Sequence, residues 1–278
     1  MNKSIPAMIV FLLLTVAAFQ LIPEPALSEK KTPSGSGGYS YIDGKDPDPK
    51  VDCDFQDIKL KNDADGYSPN NYNDVITVDL PFVFTFYGKK YDEAYVSARI
   101  AMSFESNSGF SDYYYHRSIP NAREPNALLA VYWGYDYAYD WSNPDKKTIF
   151  TLDTTQDGMR VFIIQWEGRQ GTLCQAMLFQ GGMIKYQYQS AYASGGVGSY
   201  AIIGIENSQG SQGIGYSDYE YRSDDLFTTP FAIAFVMEDM VVYDTELENG
   251  DGVKGDVIHA GAKYYRFTTR ISHSDSAD

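Results

Sequence analysis

Carboxylates are the most abundant groups in this sequence that could act as acids, bases or metal ligands. The 278 residues include 37 Asp and Glu against 22 Lys and Arg, and the formal net charge is −15. Hydrolysis of a glycosidic bond needs two carboxyl groups at a set separation, and Glu167 and Asp136 are the two to inspect. Because nucleophile-elbow, Walker-type and dinucleotide-binding glycine patterns are absent, the sequence favours a protein that is not an enzyme.

One acidic turn has the spacing of a calcium loop. Asp63 and Asp65 stand two apart before Gly66, which places two carboxylates on a tight turn without the other ligands of an EF-hand. A second acidic loop covers residues 43–48. Calcium is the one candidate cofactor, none is definite, and a solvated turn is the alternative interpretation. The histidines are scattered and the cysteines lack zinc-site spacing.

Cys53 and Cys174 are the only cysteines. In an exported protein such a pair favours a disulfide, which would close a long loop and stabilise the fold by a few kcal/mol. The alternative is two separately buried thiols, because the sequence gives no distance between them.

Tyrosine is the informative excess: the chain has 24, and clusters of them lie in segments 109–118, 131–141 and 215–222. Aromatic rings beside Asp can stack on sugar faces or anchor a protein partner. The alternative is that these rings only pack loops and edge strands. The candidate binding residues are Tyr113, Tyr114, Tyr115, Trp133, Tyr135, Tyr137, Tyr139, Trp141, Tyr219 and Tyr221.

The N-terminus has the pattern of a secretory signal peptide over residues 1–28. Lys3 precedes an apolar run over residues 5–22, and Ala26 and Ser28 occupy the small-residue positions before the cleavage point. An uncleaved membrane anchor is the alternative. We expect a secreted or cell-surface protein, extracellular or periplasmic, without membrane insertion after cleavage. Its acidity makes nucleic acid a poor partner.

Three regions follow the signal peptide. Residues 29–50 are rich in Gly, Ser, Pro and charge and predict a flexible leader. Residues 51–240 alternate short strand-like stretches with turn signals and lack a helical period, which predicts an all-β fold, an antiparallel β-sandwich with long tyrosine-rich loops. Residues 241–278 form a polar extension with two short predicted strands, and two strands alone cannot bury a core.

The strongest two-strand pattern lies in residues 80–104. Phe82, Phe84 and Phe86 share one face, and a turn is predicted at Gly88-Lys89-Lys90. Beyond the turn, the residues that share a face are Ala94, Val96, Ala98, Ile100, Met102 and Phe104. Both faces have the composition of a sandwich core, so the hairpin is predicted to be scaffold.

The order of five motifs resembles a known extracellular module. They are VDLPFVFTFYGKKYDEAYVSARIAMSFES, LLAVYWGYDY, VFIIQWEG, AMLFQGGMIKYQYQ and AIIGIENSQGSQGIGY. This order is similar to the nidogen-like module of plexin-domain-containing proteins and of large secreted bacterial and archaeal proteins, over about residues 75–216. The resemblance implies a β-sandwich in an extracellular setting. Residues 247–267 also resemble the opening strands of the pre-peptidase C-terminal module.

Two departures from the family pattern bear on the site. Arg99-Ile100 stands where the family has Asn-Gly, so we expect the strand to run on without a break there. The acidic residue that follows the family's tryptophan is displaced here to Asp136, three positions after Trp133.

These observations favour a secreted, non-catalytic binding or cell-surface interaction module that recognises an extracellular glycan or protein through its tyrosine-rich loops. The first alternative is a structural subunit of an extracellular fibre or surface assembly, self-associating by strand addition. The second is a glycan-acting hydrolase.

Overall fold

The structure is a computed structural model that describes residues 35–46, 51–115, 118–156, 158–237, 240–246, 254–260 and 263–269. For Ser194 and the three segments after residue 239, it describes only the backbone. The predicted signal peptide and residues 47–48 of the second acidic loop lie outside the described residues.

Two antiparallel sheets form the domain, which confirms the predicted β-sandwich. The seven-stranded sheet contains, in spatial order, β1 (Tyr39–Asp43), β15 (Phe231–Met237), β10 (Ile184–Ser190), β9 (Leu173–Phe179), β8 (Met159–Glu167), β7 (Ile149–Gln156) and β2 (Asp65–Tyr67). The six-stranded sheet contains β14 (Gly213–Ser217), β13 (Ala201–Glu206), β6 (Leu128–Gly134), β5 (Ala101–Ser103), β4 (Lys89–Ser97) and β3 (Val75–Phe86).

The remaining elements are a ribbon, two short helices and a separate sheet. The described residues also form a two-stranded ribbon, β11 (Ala193–Ser194) with β12 (Gly196–Val197), and two 3₁₀ helices, Ile58–Leu60 and Phe110–Asp112. A separate three-stranded antiparallel sheet contains β16 (Met240–Glu246), β17 (Lys254–Ala260) and β18 (Lys263–Thr269). β17 and β18 correspond to the two predicted strands, and β16 is one that the sequence analysis did not identify.

The core between the sheets follows from the alternation in β3. Phe82, Phe84 and Phe86 are buried, whereas Val83 between them is 58% exposed, as the period-two pattern predicts. The turn lies one residue earlier than predicted, because Phe86 pairs with Lys89. Its two residues, Tyr87 and Gly88, have φ of 47° and 76°, the left-handed conformations that match a two-residue hairpin.

The expectation of an unbroken strand at Arg99-Ile100 is wrong. Ser97 pairs with Ala101, so residues 98–100 form a tight turn between β4 and β5. Ile100 has φ of 58°, a conformation that glycine adopts easily and a β-branched residue adopts at a cost. Its side chain is fully buried in the core, and this burial offsets the strain. Residues 98–100 therefore form a turn between β4 and β5 with Arg99 in it.

Part of the predicted leader, residues 29–50, belongs to the sandwich. β1 pairs with β15 over five residues, and Tyr39 and Ile42 on it are buried. The prediction of a flexible leader is therefore wrong for β1. The glycines and serines in residues 34–40 gave this segment the composition of a linker, which hid the strand.

The outer face of the six-stranded sheet carries a second apolar cluster. The segment between β5 and β6 folds back over this face and buries Phe110 and Tyr113 against Trp133 and Leu128. Because this segment covers the sheet beside the β4–β5 turn, it brings Tyr113 over Arg99.

Candidate ligand-binding site

Five segments that are far apart in the sequence line one cavity at the end of the sandwich. We call it the aromatic cavity, and its volume is ≈ 350 Å³. The lining residues are Tyr72, Arg99, Tyr113, Tyr114, Tyr135, Tyr137, Trp141, Arg169 and Gln170. Five of the ten predicted binding residues are therefore brought together in one cavity, whose lining also includes Arg99.

Arg99 is the centre of this cavity. Its side chain is only 7% exposed, and its guanidinium carbon lies 4.6 Å from the ring centroid of Tyr72 and 4.8 Å from that of Tyr113. The Tyr137 ring follows at 5.4 Å. A guanidinium among aromatic faces is attracted by their quadrupoles, and more strongly when water is excluded. The rings and the cation thus hold one another in place.

Hydrogen bonds fix the orientation of Arg99. Its Nε donates to Asn73 Oδ1 at 3.0 Å, and Nη1 donates to the carbonyl of Gly134 at 3.4 Å. Its backbone N–H donates to Ser97 Oγ at 3.1 Å. The turn, the Asn73 loop and the end of β6 therefore all position one guanidinium.

The hydroxyl of Tyr137 joins the wall of the cavity. Trp141 Nε1 donates to it at 3.1 Å and Arg169 Nη1 at 3.3 Å. The rings of Tyr137 and Trp141 each lie 5.6 Å from that of Tyr72. Trp141 remains 53% exposed, so this wall presents one ring surface to solvent.

Asp136 connects the two loops that carry most of the cavity. It is fully buried, and its carboxylate accepts hydrogen bonds from the backbone N–H groups of Tyr137, Gln170 and Thr172 at 2.8, 2.9 and 3.1 Å. A β-carbon on Gly168 would lie 2.4 Å from Asp136 Oδ2, so only glycine leaves room for this carboxylate. Asp136 is thus a positioning residue that aligns Tyr137 with Arg169 and Gln170.

Tyr219 extends the aromatic surface behind the cavity. Its ring lies 5.3 Å from Tyr113 and 5.5 Å from Tyr114. Burial, followed by the neighbouring Tyr114 and Tyr200, raises the pKa of Tyr219 to about 12. Burial also raises the pKa of Tyr113, and its hydrogen bond with Tyr114 adds to the effect. Both hydroxyls are neutral at physiological pH, as an ordinary tyrosine is, and the raised pKa values keep them neutral to higher pH.

The other four predicted aromatic residues do not line the cavity. Trp133 is fully buried, and its Nε1 donates to the carbonyl of Phe110 at 2.9 Å. Tyr139 is buried with its ring edge-on to Trp141. Tyr115 and Tyr221 are 65% and 61% exposed on other parts of the surface.

Four lining residues were missed in the sequence. Arg99 carried a signal in the sequence, where Arg99-Ile100 was noted as a departure from the pattern that the chain resembles. Tyr72 is a single tyrosine in an asparagine-rich loop, and Arg169 and Gln170 follow a strand as ordinary polar residues. Only the fold brings these residues beside Tyr113 and Tyr137.

Glu167, the other candidate acid, is engaged elsewhere. Its carboxylate accepts a hydrogen bond from Lys59 Nζ, which also lies 3.5 Å from Asp57. The hydrogen bond that Lys59 donates to Glu167 is the main cause of the raised pKa of Lys59.

The predicted calcium ligands Asp63 and Asp65 are both exposed. Within the described part of the chain, no three Asp, Glu, His or Cys side chains are grouped as metal ligands would be. In the second acidic loop, Asp43 accepts hydrogen bonds from the Tyr216 hydroxyl and the Lys45 backbone.

Both cysteines are free thiols in the structure. Cys174 is fully buried in the core between the sheets, whereas Cys53 is half-buried with its sulfur 3.7 Å from the carbonyl oxygen of Tyr188. Burial raises the pKa of both thiols. The predicted disulfide is therefore not formed in the structure.

Comparison with known proteins agrees with the order of motifs along the chain. Residues 53–230 match the family described as NIDO related, which is well over half of the chain. The chain belongs to this nidogen-related family. No curated protein and no solved structure matches it. The likeness of residues 247–267 to a pre-peptidase module stays a prediction.

The nidogen-related match contains every segment of the aromatic cavity and ends just before β15. Membership in the nidogen-related family makes this an extracellular-type module. Among the described residues, no helix is both long and apolar enough to cross a bilayer.

Proposed function

We propose that this nidogen-related domain is a secreted, non-catalytic module that binds a saccharide in the aromatic cavity. The observation that carries the proposal is that five predicted aromatic residues line one cavity together with the buried Arg99. Concave sites of this size, lined by rings with a few oriented polar groups, are the usual form of small-ligand sites.

A saccharide fits the cavity better than a protein surface does. Tyr114, Tyr135 and Trp141 are each about half exposed, at 48%, 47% and 53%, so each ring has one surface packed and another open. Such rings can stack on the apolar faces of a sugar while hydroxyl, indole and guanidinium groups bond to its oxygens. A typical protein partner instead covers about 800 Å² on each side.

The proposal that the module is non-catalytic rests on the two candidate acids. Asp136 is occupied by three backbone N–H groups, and Glu167 is paired with Lys59. The lining of the cavity contains no carboxylate. Secretion is supported by the predicted signal peptide and by the family.

Strand addition is the less supported alternative. β3 is the long edge strand of the six-stranded sheet, but Pro81 in it lacks an N–H group for a further strand. The pairing register of β3 also shifts between Asp79 and Phe84, and such irregularities protect an edge.

A glycan array with the chain from Glu29 onward tests the proposal. We expect the wild type and Tyr115→Ala to bind the same glycans, and Trp141→Ala to bind them at least about tenfold more weakly, since tryptophans in binding sites are common hot spots. Tyr115 is the matched control because its exposed ring lies outside the cavity. The absence of any bound glycan, or unchanged binding by Trp141→Ala, contradicts the proposal. Hydrolysis of a bound glycan contradicts its non-catalytic part.

A further inference from the structure

The aromatic cavity holds two arginines and no carboxylate, although the whole chain has a formal charge of −15. We propose that the bound saccharide carries a carboxylate group, which Arg99 and Arg169 recognise. This inference rests on the proposed function and names the class of saccharide. It is carried by the hydrogen-bond donors that the cavity leaves unused.

Arg99 has more N–H groups than it uses in hydrogen bonds to the described residues. A guanidinium has five N–H groups, and Arg99 uses one at Nε and one at Nη1 on protein acceptors. Its Nη2 makes no hydrogen bond to any described residue. Because the side chain is held from three sides, its remaining N–H groups are fixed in direction before a ligand arrives.

Among the described residues, the charge of Arg99 has no carboxylate counterion. In the part of the chain that the structure describes, Arg99 forms no ion pair with Asp or Glu. A cation that is 93% removed from solvent (7% exposed) is costly without an anion, and aromatic faces compensate only in part. A carboxylate on the ligand would supply the missing charge where water screens it weakly.

The hydroxyl of Tyr137 supplies a further donor. An oxygen of this type has two acceptor positions, and Trp141 and Arg169 donate to it at 3.1 and 3.3 Å. With both positions in use, the hydroxyl hydrogen of Tyr137 is left to donate to a ligand. The wall beside Arg99 therefore matches a group that only accepts hydrogen bonds.

A carboxylate is such a group, and its plane matches one edge of a guanidinium. Two parallel N–H···O bonds from one arginine to one carboxylate are short and directional. A sulfate ester is also anionic, but its tetrahedral oxygens match this planar edge less well. Sulfated saccharides are therefore a comparison arm of the test.

The test is an array on which every glycan with glucuronic, galacturonic or sialic acid stands beside its carboxyl-reduced counterpart. We expect the acidic member of a pair to bind at least about tenfold more tightly, because hydrogen bonds to charged groups contribute strongly. Equal binding of the acidic and reduced members overturns the inference and leaves the proposed function intact. Preferential binding of sulfated neutral glycans overturns the choice of a carboxylate. If no glycan binds, the proposed function fails and this inference fails with it.

Three variants show which residues cause the preference for the acidic glycan. Each is tested with the captured acidic glycan and with its carboxyl-reduced form. Arg169→Gln removes an exposed cation, and we expect about a fivefold or greater loss for the acidic glycan with little change for the reduced one. Tyr137→Phe keeps the ring and removes the hydroxyl donor. We therefore expect a smaller loss of affinity for the acidic glycan, again with little change for the reduced one. Arg123→Gln is the matched control, because Arg123 lies 5.6 Å from the Tyr115 ring and outside the cavity. If Arg169→Gln and Arg123→Gln behave alike, the arginine assignment is wrong.

Discussion

Two groups of aromatic rings in this domain pack at similar distances but differ in what covers them. In the phenylalanine core, formed by Phe84, Phe86, Tyr91 and Phe104, ring centroids lie 5.0–5.4 Å apart around Phe104. In the aromatic cavity, Trp141 lies 5.6 Å from Tyr72. All four core rings are at most 8% exposed, whereas Trp141 is 53% exposed.

The element that carries a ring decides whether the ring is covered by protein or stays open to solvent. Strands place rings on alternate sides of a sheet, and the facing sheet then covers them completely. Loops bring rings together without a second sheet above them, so one surface of each ring stays open. Stability is therefore expected from the phenylalanine core, and binding from the aromatic cavity.

Alkaline pH should have the largest effect, because it acts on many tyrosines together. Burial raises the pKa of Tyr186 and Tyr188 in the core far above the usual value, and that of Tyr219 near the cavity to about 12. The unfolded chain releases these protons near pH 10, at about the ordinary tyrosine pKa, while the folded chain keeps them. The free energy of unfolding therefore falls as pH rises above about 10.

Urea denaturation at stepped pH measures this dependence, with tyrosinate absorbance as the second signal. We expect absorbance from the buried tyrosines to appear together with unfolding. If those tyrosines titrate fully while the domain stays folded, their burial is not as described.

Phe104→Ala should give the largest effect of a single substitution. Phe104 stacks on Phe84 and Tyr91 at 5.4 and 5.0 Å, and its removal leaves a cavity in the core. We expect a loss of about 3–5 kcal/mol in the free energy of unfolding. Phe104→Leu is the milder control for chemical denaturation. A loss below about 1 kcal/mol for Phe104→Ala would show that the phenylalanine core does not support the fold.

Asp136→Ala should have the next largest effect, and it should reduce both the stability of the domain and its saccharide binding. It leaves three backbone N–H groups without their acceptor, and we expect a loss of about 3 kcal/mol together with weaker saccharide binding. Asp136→Asn keeps one acceptor oxygen and should lie between the wild type and Asp136→Ala. Unfolding curves and binding titrations of the two variants check this. Unchanged binding by a folded Asp136→Ala would mean that Asp136 does not position the cavity.

Tyr115→Ala should have the smallest effect. The ring is 65% exposed and lies outside both aromatic groups, so stability should change by less than about 0.5 kcal/mol. Saccharide affinity should also be unchanged by titration. A clear loss of affinity would show that the binding surface extends beyond the aromatic cavity.

The scaffold was predictable because its signal is local. The alternation of Phe82, Phe84 and Phe86 indicated a strand with one buried face, and the structure buries all three. The turn at Arg99-Ile100 was not predictable from local preference, since a β-branched residue disfavours the left-handed conformation that Ile100 adopts. Tertiary burial of Ile100 overrode that preference.

The site was predictable only in part, because it is a product of tertiary structure. Clusters of tyrosine in the sequence identified Tyr113, Tyr135 and Trp141, but composition alone could not separate them from the buried Trp133. Tyr72 and Arg169 joined the cavity from loops without any local signal. The guanidinium of Arg99 lies against the rings of Tyr72 and Tyr137, and only the folded chain brings these groups together.

The indole N–H resonances of the three tryptophans give the most direct test that a saccharide binds in the aromatic cavity. Trp133 and Trp166 are buried, and their Nε1 groups donate to the carbonyls of Phe110 and Ser97, each at 2.9 Å. Trp141 Nε1 instead donates to the Tyr137 hydroxyl at the cavity wall. During titration of ¹⁵N-labelled protein with a glycan selected on the array, we predict that the Trp141 resonance shifts and the other two stay in place. Binding that leaves the Trp141 resonance unmoved would contradict the account.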